Sequence, residues 1–199
     1  MIAIVDYGAG NLTSVKKAFD RLRVESEVTC EPSVVSRAEK IVVPGVGHFD
    51  ATKKLEQLGL RAVTLDAIAR EVPFLGICVG MQWLFESSEE APQTAGLGLF
   101  EGVCQRFPSE VKSPHVGWNQ LHMRSESILM DGVPQDSFVY FTHSYRASIV
   151  PETTAATEYG GEFSSAVARR NVFGVQFHPE KSSEVGLRIL SNFCGIRQC

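Results

Sequence analysis

No apolar run in this 199-residue chain is long enough to cross a bilayer. The longest, Val72 to Phe85, falls short of the roughly 18 to 20 residues a spanning helix needs, and Gly76, Gly80 and Gln82 interrupt it. Basic charge is not in excess: 19 Lys and Arg against 23 Asp and Glu give a formal charge of −4, with the signs interspersed. That balance argues against a nucleic-acid footprint and against a polybasic membrane patch. The opening "MIAIVDYG" lacks a basic segment and reaches Asp6 too early for a secretory signal, so a cytoplasmic location is expected. Cysteine is sparse and scattered, at positions 30, 78, 104, 194 and 199. An odd number without CxxC spacing excludes a disulfide framework and a zinc knuckle. Reduced thiols are expected, four of them as core fillers or chain-end bystanders. The histidines (48, 115, 122, 143, 178) form no HExxH or paired-ligand pattern, so no metal is expected. No GxSxG is present, and in "GAGNLT" Thr13 occupies the third glycine position of a dinucleotide fingerprint. Neither a serine hydrolase nor a nicotinamide cofactor is therefore indicated. Repeats, linkers and low-complexity tracts are missing as well, which leaves one domain over residues 1–199.

What is present is an alternation. "IAIVD" (2–6), "KIVVPG" (40–45) and "VPFLGI" (72–77) are continuous apolar runs, the pattern of strands buried on both faces. "LTSVKKAFDRL" (12–22) carries Leu12, Val15, Phe19 and Leu22 at helical spacing, helical material fills the stretch to residue 70, and "GMQWLFESS" reads as the next helix. Such an order predicts an α/β fold, an open, mostly parallel sheet flanked by helices. From about residue 96 the chain changes to short β-like segments, "GVCQRF", "GWNQLHM", "SFVYFTH", "YRASIV", "SAVARR" and "VFGVQFH". These predict antiparallel strands added in the C-terminal half. "SSEVGLRILSNFC" closes the chain as a helix, with Leu187, Leu190, Ser191 and Cys194 expected on one face behind a serine N-cap.

Three stretches could carry chemistry. In "GICVG" (76–80) a buried strand enters Gly76 and a helix leaves after Gly80, the setting of a nucleophile elbow with Cys78 at its tip. There a helix N-terminus would favour the thiolate, and the Val79 N–H could face an oxyanion. A structural cysteine in a glycine-rich turn satisfies the same local sequence equally well. In "GVQFHPEKS" (174–182), His178 and Glu180 lie two apart around Pro179 and share a face of an extended segment. A histidine base with a carboxylate orienter is the functional reading, and a surface turn is the alternative. In "VVPGVGHFD" (42–50) the backbone N–H groups of Val46 and Gly47 could supply a second oxyanion donor, although a plain βα turn also fits.

Taken together, "GICVGMQWLFESSEE" and "GVQFHPEKSS" resemble the class I, triad-type glutamine amidotransferases. With "IVDYGAGNLTSV", "PGVGHFD", "PHVGWNQL" and "YFTHSYR", the chain is most similar to the glutaminase subunits of imidazole glycerol phosphate synthase. The resemblance covers nearly the whole chain. It implies Cys78 as nucleophile, His178 as acid and base, Glu180 as its orienter, and Val79, Val46 and Gly47 around the oxyanion. It further implies glutamine binding by Gly47, Gln82, Glu90, Ser144 and Tyr145, and no cofactor. The ammonia released must be used elsewhere, and the resemblance implies a (βα)8-barrel cyclase partner in a heterodimer, facing Asn11, Trp118, Tyr140 and Lys181. Two other readings stay open: a glutaminase for anthranilate, aminodeoxychorismate or pyridoxal phosphate synthesis, and a catalytically silent regulatory homologue.

Overall fold

The computed structural model describes residues 1–197, so Cys199 lies outside the described residues. In chain order the elements are β1 (Ile2–Val5), α1 (Leu12–Arg21), β2 (Ser26–Thr29), α2 (Pro32–Val35), β3 (Lys40–Gly45), α3 (Lys53–Gln57), α4 (Leu60–Ala69), β4 (Phe74–Cys78) and α5 (Val79–Gln82). Then follow β5 (Ser87–Ser88), β6 (Val103–Arg106), β7 (His115–Gln120), β8 (His122–Met123), β9 (Phe138–His143), β10 (Tyr145–Arg146), β11 (Thr153–Glu158), β12 (Glu162–Arg169), β13 (Val172–Val175) and α6 (Ser183–Gly195).

The continuous apolar runs become the centre of an eight-stranded sheet ordered β2-β1-β3-β4-β13-β12-β11-β8. Five strands from β2 to β13 run parallel, and the last three add antiparallel. β1, β3, β4 and β13 are almost wholly buried, which is why they read as unbroken hydrophobic stretches. The flanking helices fall into two groups, α1 against α6 and α2 and α3 against α4. Two smaller ladders stand apart: β10-β6-β5, and an antiparallel ribbon of β7 and β9. Among the described residues no helix is long and apolar enough to cross a membrane.

Four expectations need correcting and one strand was not foreseen. "VFGVQFH", expected among the added antiparallel strands, supplies β13, which runs parallel beside β4 in the middle of the sheet. The helix after Cys78 is a single turn, because the 96–100 segment captures the carbonyls that would prolong it: Leu97 N–H donates to Trp83 O at 2.6 Å and Gly98 N–H to Phe85 O at 3.1 Å. The buried face of α6 is Gly186, Ile189, Leu190 and Phe193, displaced from the expected one; Ser191 is exposed, while Leu187 and Cys194 are half-buried. Its cause is Gly186, whose Cβ, if present, would sit 1.9 Å from Pro179 O. A close approach through a residue without a side chain leaves no mark in an apolar pattern. Strand β11, "TTAATE", is buried between β12 and β8 but lacks the large alternating residues that announce a strand. Finally, Cys30 is exposed beyond β2, neither core filler nor chain end.

Candidate active site

Register brings the three motifs to one edge of the sheet. β4 lies between β3 and β13 as a parallel neighbour of both, with Gly45 opposite Cys78 and Val175 opposite Ile77. The chain leaving β13 therefore runs beside Cys78 and delivers His178, although a hundred residues separate the two in sequence. Tight packing requires the glycines of the elbow: a Cβ on Gly80 would meet Val43 O at 1.8 Å, and one on Gly76 would meet Gly80 O at 2.4 Å.

Cys78 itself is strained. Its φ of 54° and ψ of −109° are unusual for a residue with a side chain, a conformation that costs on the order of 1–3 kcal/mol and persists only when the surroundings impose it. The thiol is buried at the floor of a cavity of about 330 Å³. Cys78 Sγ lies 3.9 Å from Thr142 O, and the Gln176 side-chain amide donates to the sulfur at 3.6 Å. Because α5 is one turn long, the helix macrodipole expected from the sequence is minor here.

His178 and Glu180 form a buried pair: Nδ1 lies 2.8 Å from Glu180 Oε1, with both side chains 1% exposed. A carboxylate can only accept, so the imidazole proton on that side is on Nδ1 and Nε2 is left to face the thiol. Among the described residues Nε2 has no hydrogen-bond partner of ordinary geometry. Burial opposes charging of the ring, but the negative sulfur of Cys78 and the Glu180 carboxylate outweigh it and raise the His178 pKa from 6.5 to about 10. Since the folded-state value is the higher one, this protonation stabilises the folded chain fully below about pH 6.5 and is lost as the pH rises through about 10. Imidazole titration by NMR should show a protonated His178 well above neutrality, and Cys78→Ala should move its midpoint downward. An unchanged midpoint would show that the sulfur is not the partner.

The cavity walls contain Gly47, His48, Val79, Gln82, Glu90, Pro114, Thr142, His143, Ser144 and Tyr145 around Cys78. Gly47, Gln82, Glu90, Ser144 and Tyr145 are thus assembled with the cysteine, as is Val79, whereas Val46 is half-buried and does not line the cavity. Glu90 accepts from Phe49 N–H at 2.7 Å, which ties it to the loop after β3. Both amide hydrogens of Gln82 are engaged, with Tyr145 O at 2.9 Å and Gln176 Oε1 at 3.1 Å, leaving its Oε1 as the atom it can offer a ligand.

Sequence reasoning missed the support beneath Tyr145. His143 Nδ1 donates to Tyr145 O at 2.9 Å, so its Nε2 must accept from His115 Nδ1 at 3.2 Å. Burial drives both imidazoles down, to about 3 for His143 and about 4 for His115, so the pair stays neutral. Gln176 was missed too. Both are polar residues at buried positions, visible in the sequence only as interruptions of apolar strands.

Of the four residues expected at a partner surface, three form a cluster. Trp118 and Tyr140 are cross-strand neighbours on the β7–β9 ribbon, with ring centroids 6.1 Å apart, and Lys181 Nζ lies 5.7 Å from the Tyr140 ring. Asn11 is the N-cap of α1, accepting from Ser14 N–H, and α1 packs against the 179–181 turn that carries Lys181. The ribbon's outward face pairs Val116 with Thr142, Trp118 with Tyr140 and Gln120 with Phe138, leaving Val116, Trp118 and Phe138 each at least half exposed.

A strained cysteine elbow, a histidine oriented by a buried carboxylate and a polar cavity above them define a thiol-dependent transferase or hydrolase of the amide type. The family model for glutamine amidotransferase class-I matches residues 3–195, and the chain belongs to that family. Within it, the chain is 50% identical over 197 residues to the imidazole glycerol phosphate synthase subunit HisH of Moorella thermoacetica, covering 96% of this chain and 93% of that protein. It is 48% identical over 202 residues to the HisH subunit of Thermococcus kodakarensis, with coverage of 97% and 98%. The same fold recurs in the structure of PurLQS from Thermotoga maritima, with a TM-score of 0.77 at 18% identity over 98% of this chain and 97% of that one.

Proposed function

We propose that the chain is the glutaminase subunit of an imidazole glycerol phosphate synthase. It hydrolyses glutamine to glutamate and ammonia through a thioester on Cys78, and passes the ammonia to a cyclase subunit of (βα)8-barrel form. The observation that carries the chemistry is the His178–Glu180 pair, 2.8 Å apart and buried against the strained cysteine.

In the mechanism, the Cys78 proton rests on His178 Nε2, and the sulfur, as thiolate, attacks the side-chain amide carbon of glutamine. The oxygen that gains charge is held by the Val79 N–H and by an N–H of the Val46–Gly47 segment. His178 returns the proton to the departing nitrogen as the C–N bond breaks, releasing ammonia. Water, deprotonated by His178, then attacks the thioester; the C–S bond breaks, and glutamate leaves as the thiolate is restored. Gly47, Gln82, Glu90, Ser144 and Tyr145 bind the amino-acid end. A cytoplasmic setting, where thiols stay reduced, goes with this reading.

The cyclase would dock on the outward face of the β7–β9 ribbon, where exposed aromatics suit an interface core. That ribbon also touches the catalytic groups, since Tyr140 O accepts from His178 N–H at 2.9 Å and Thr142 O faces the thiol. Docking there supports low glutaminase activity alone and higher activity with a nucleotide-loaded cyclase. The test supplies amide-15N glutamine to the chain with the cyclase and its phosphorylated ribulosyl aminoimidazole carboxamide nucleotide. Label should enter the imidazole product, and Trp118→Ala should weaken the complex by about 30-fold. Label found only as free ammonium, whatever cyclase is present, would contradict the assignment.

A further inference from the structure

The mechanism above leaves one polar group at the sulfur without a task. Gln176 is fully buried, and its Nε2 lies 3.6 Å from Cys78 Sγ, a normal separation for a donor to sulfur. An amide oxygen and nitrogen are interchangeable in shape, so which one faces the sulfur must be settled by the hydrogen-bond network. Here the network settles it. The backbone carbonyl of Tyr145 can only accept, so Gln82 presents Nε2 to it, and that same Nε2 donates to the second side chain, fixing Gln176 Oε1 at 3.1 Å. Gln176 is thereby compelled to turn its NH2 group to Cys78.

We infer that Gln176 is a further catalytic residue, donating its side-chain N–H to the Cys78 sulfur and steadying the thiolate when it forms and when it departs. This rests on the reading of Cys78 as the nucleophile. A thiol sulfur is a weak acceptor and a thiolate a strong one, so the contact strengthens as negative charge gathers on sulfur. That moment comes twice in each turnover: before attack on the amide, and again as the C–S bond of the thioester breaks. An interaction stronger in the charged state than in the resting one lowers the barrier instead of merely aiding packing. The orientation of the donor is in turn held by Gln82, a residue of the cavity wall, so the amino-acid pocket and the sulfur share one chain of amides.

Two substitutions test this. Gln176→Glu keeps the size and still accepts from Gln82 but removes the donor and places negative charge beside the sulfur; Gln176→Met removes the donor without adding charge. Near neutral pH, alkylation of Cys78 by iodoacetamide should slow by about tenfold in the Met variant and further in the Glu variant. Both should recover at alkaline pH, with kcat falling in step and KM little changed. Folded variants that alkylate at the wild-type rate, with the wild-type pH dependence, would overturn the inference. If neither variant folds, the wild-type protein labelled with 15N-glutamine replaces them: a Gln176 amide proton should follow the Cys78 titration and cease to in Cys78→Ser. Its indifference to pH would be equally fatal. Failure of a diazoketone analogue of glutamine to label wild-type Cys78 would instead sink the nucleophile reading, which keeps the two apart.

Discussion

Cys78→Ala is expected to remove glutamine hydrolysis, lowering the rate by at least about 10⁴-fold, on the order of 5 kcal/mol of transition-state stabilisation. The groups packed against the sulfur, the buried His178–Glu180 pair and the Gln176 amide, offer no second nucleophile to replace it. Folding should survive the change. Alanine removes one buried sulfur and relieves nothing of the backbone strain, because the positive φ of Cys78 is imposed by the close packing of Gly76 and Gly80 around it. Partner binding should survive as well, because the apolar ribbon face of Val116, Trp118 and Phe138 lies on the side of β7 and β9 away from the core. Hydrolysis assays on the isolated variant and on its complex check both halves of the statement.

Glu180→Gln should be nearly as damaging, by about 10³-fold or more, despite a change of one atom. A glutamine amide can offer N–H to Nδ1, which would place the imidazole proton on Nε2, the nitrogen that must accept from Cys78. The charge that helps raise the His178 pKa disappears at the same time. KM should change little, because Glu180 is 1% exposed beneath the site and does not line the cavity. A loss confined to kcat, with the His178 titration moved downward, is the expected pattern; an equal rise in KM would place Glu180 in glutamine binding instead.

The sequence made some of this legible and hid the rest for identifiable reasons. β1, β3 and β4 were readable because strands buried on both faces must be continuously apolar, whereas β13 read only as one more short C-terminal strand because its parallel pairing with β4 is made across a hundred residues. The elbow was readable because only glycine fits where Gly80 meets Val43 O. α5 was overextended because its ending depends on hydrogen bonds from residues 96–100, which no local pattern encodes. The α6 face was displaced because Gly186 buries backbone against the Pro179 carbonyl instead of a side chain. Asn11 carries an ordinary helix-capping bond, and its partner role rests on resemblance alone. Gln176 and the His115–His143 pair escaped notice because their work is done through partners brought together only by strand register.

The central claim, a glutamyl thioester on Cys78, can be met directly by acid-quenching the cyclase complex during turnover with glutamine and sequencing the peptide that spans residues 74–85 by mass spectrometry. A glutamyl adduct on Cys78, absent from Cys78→Ala and accumulating when deacylation is slowed, is the predicted result. Ammonia release at full rate with no adduct on Cys78 at any quench time, or with the adduct on another residue, would contradict it.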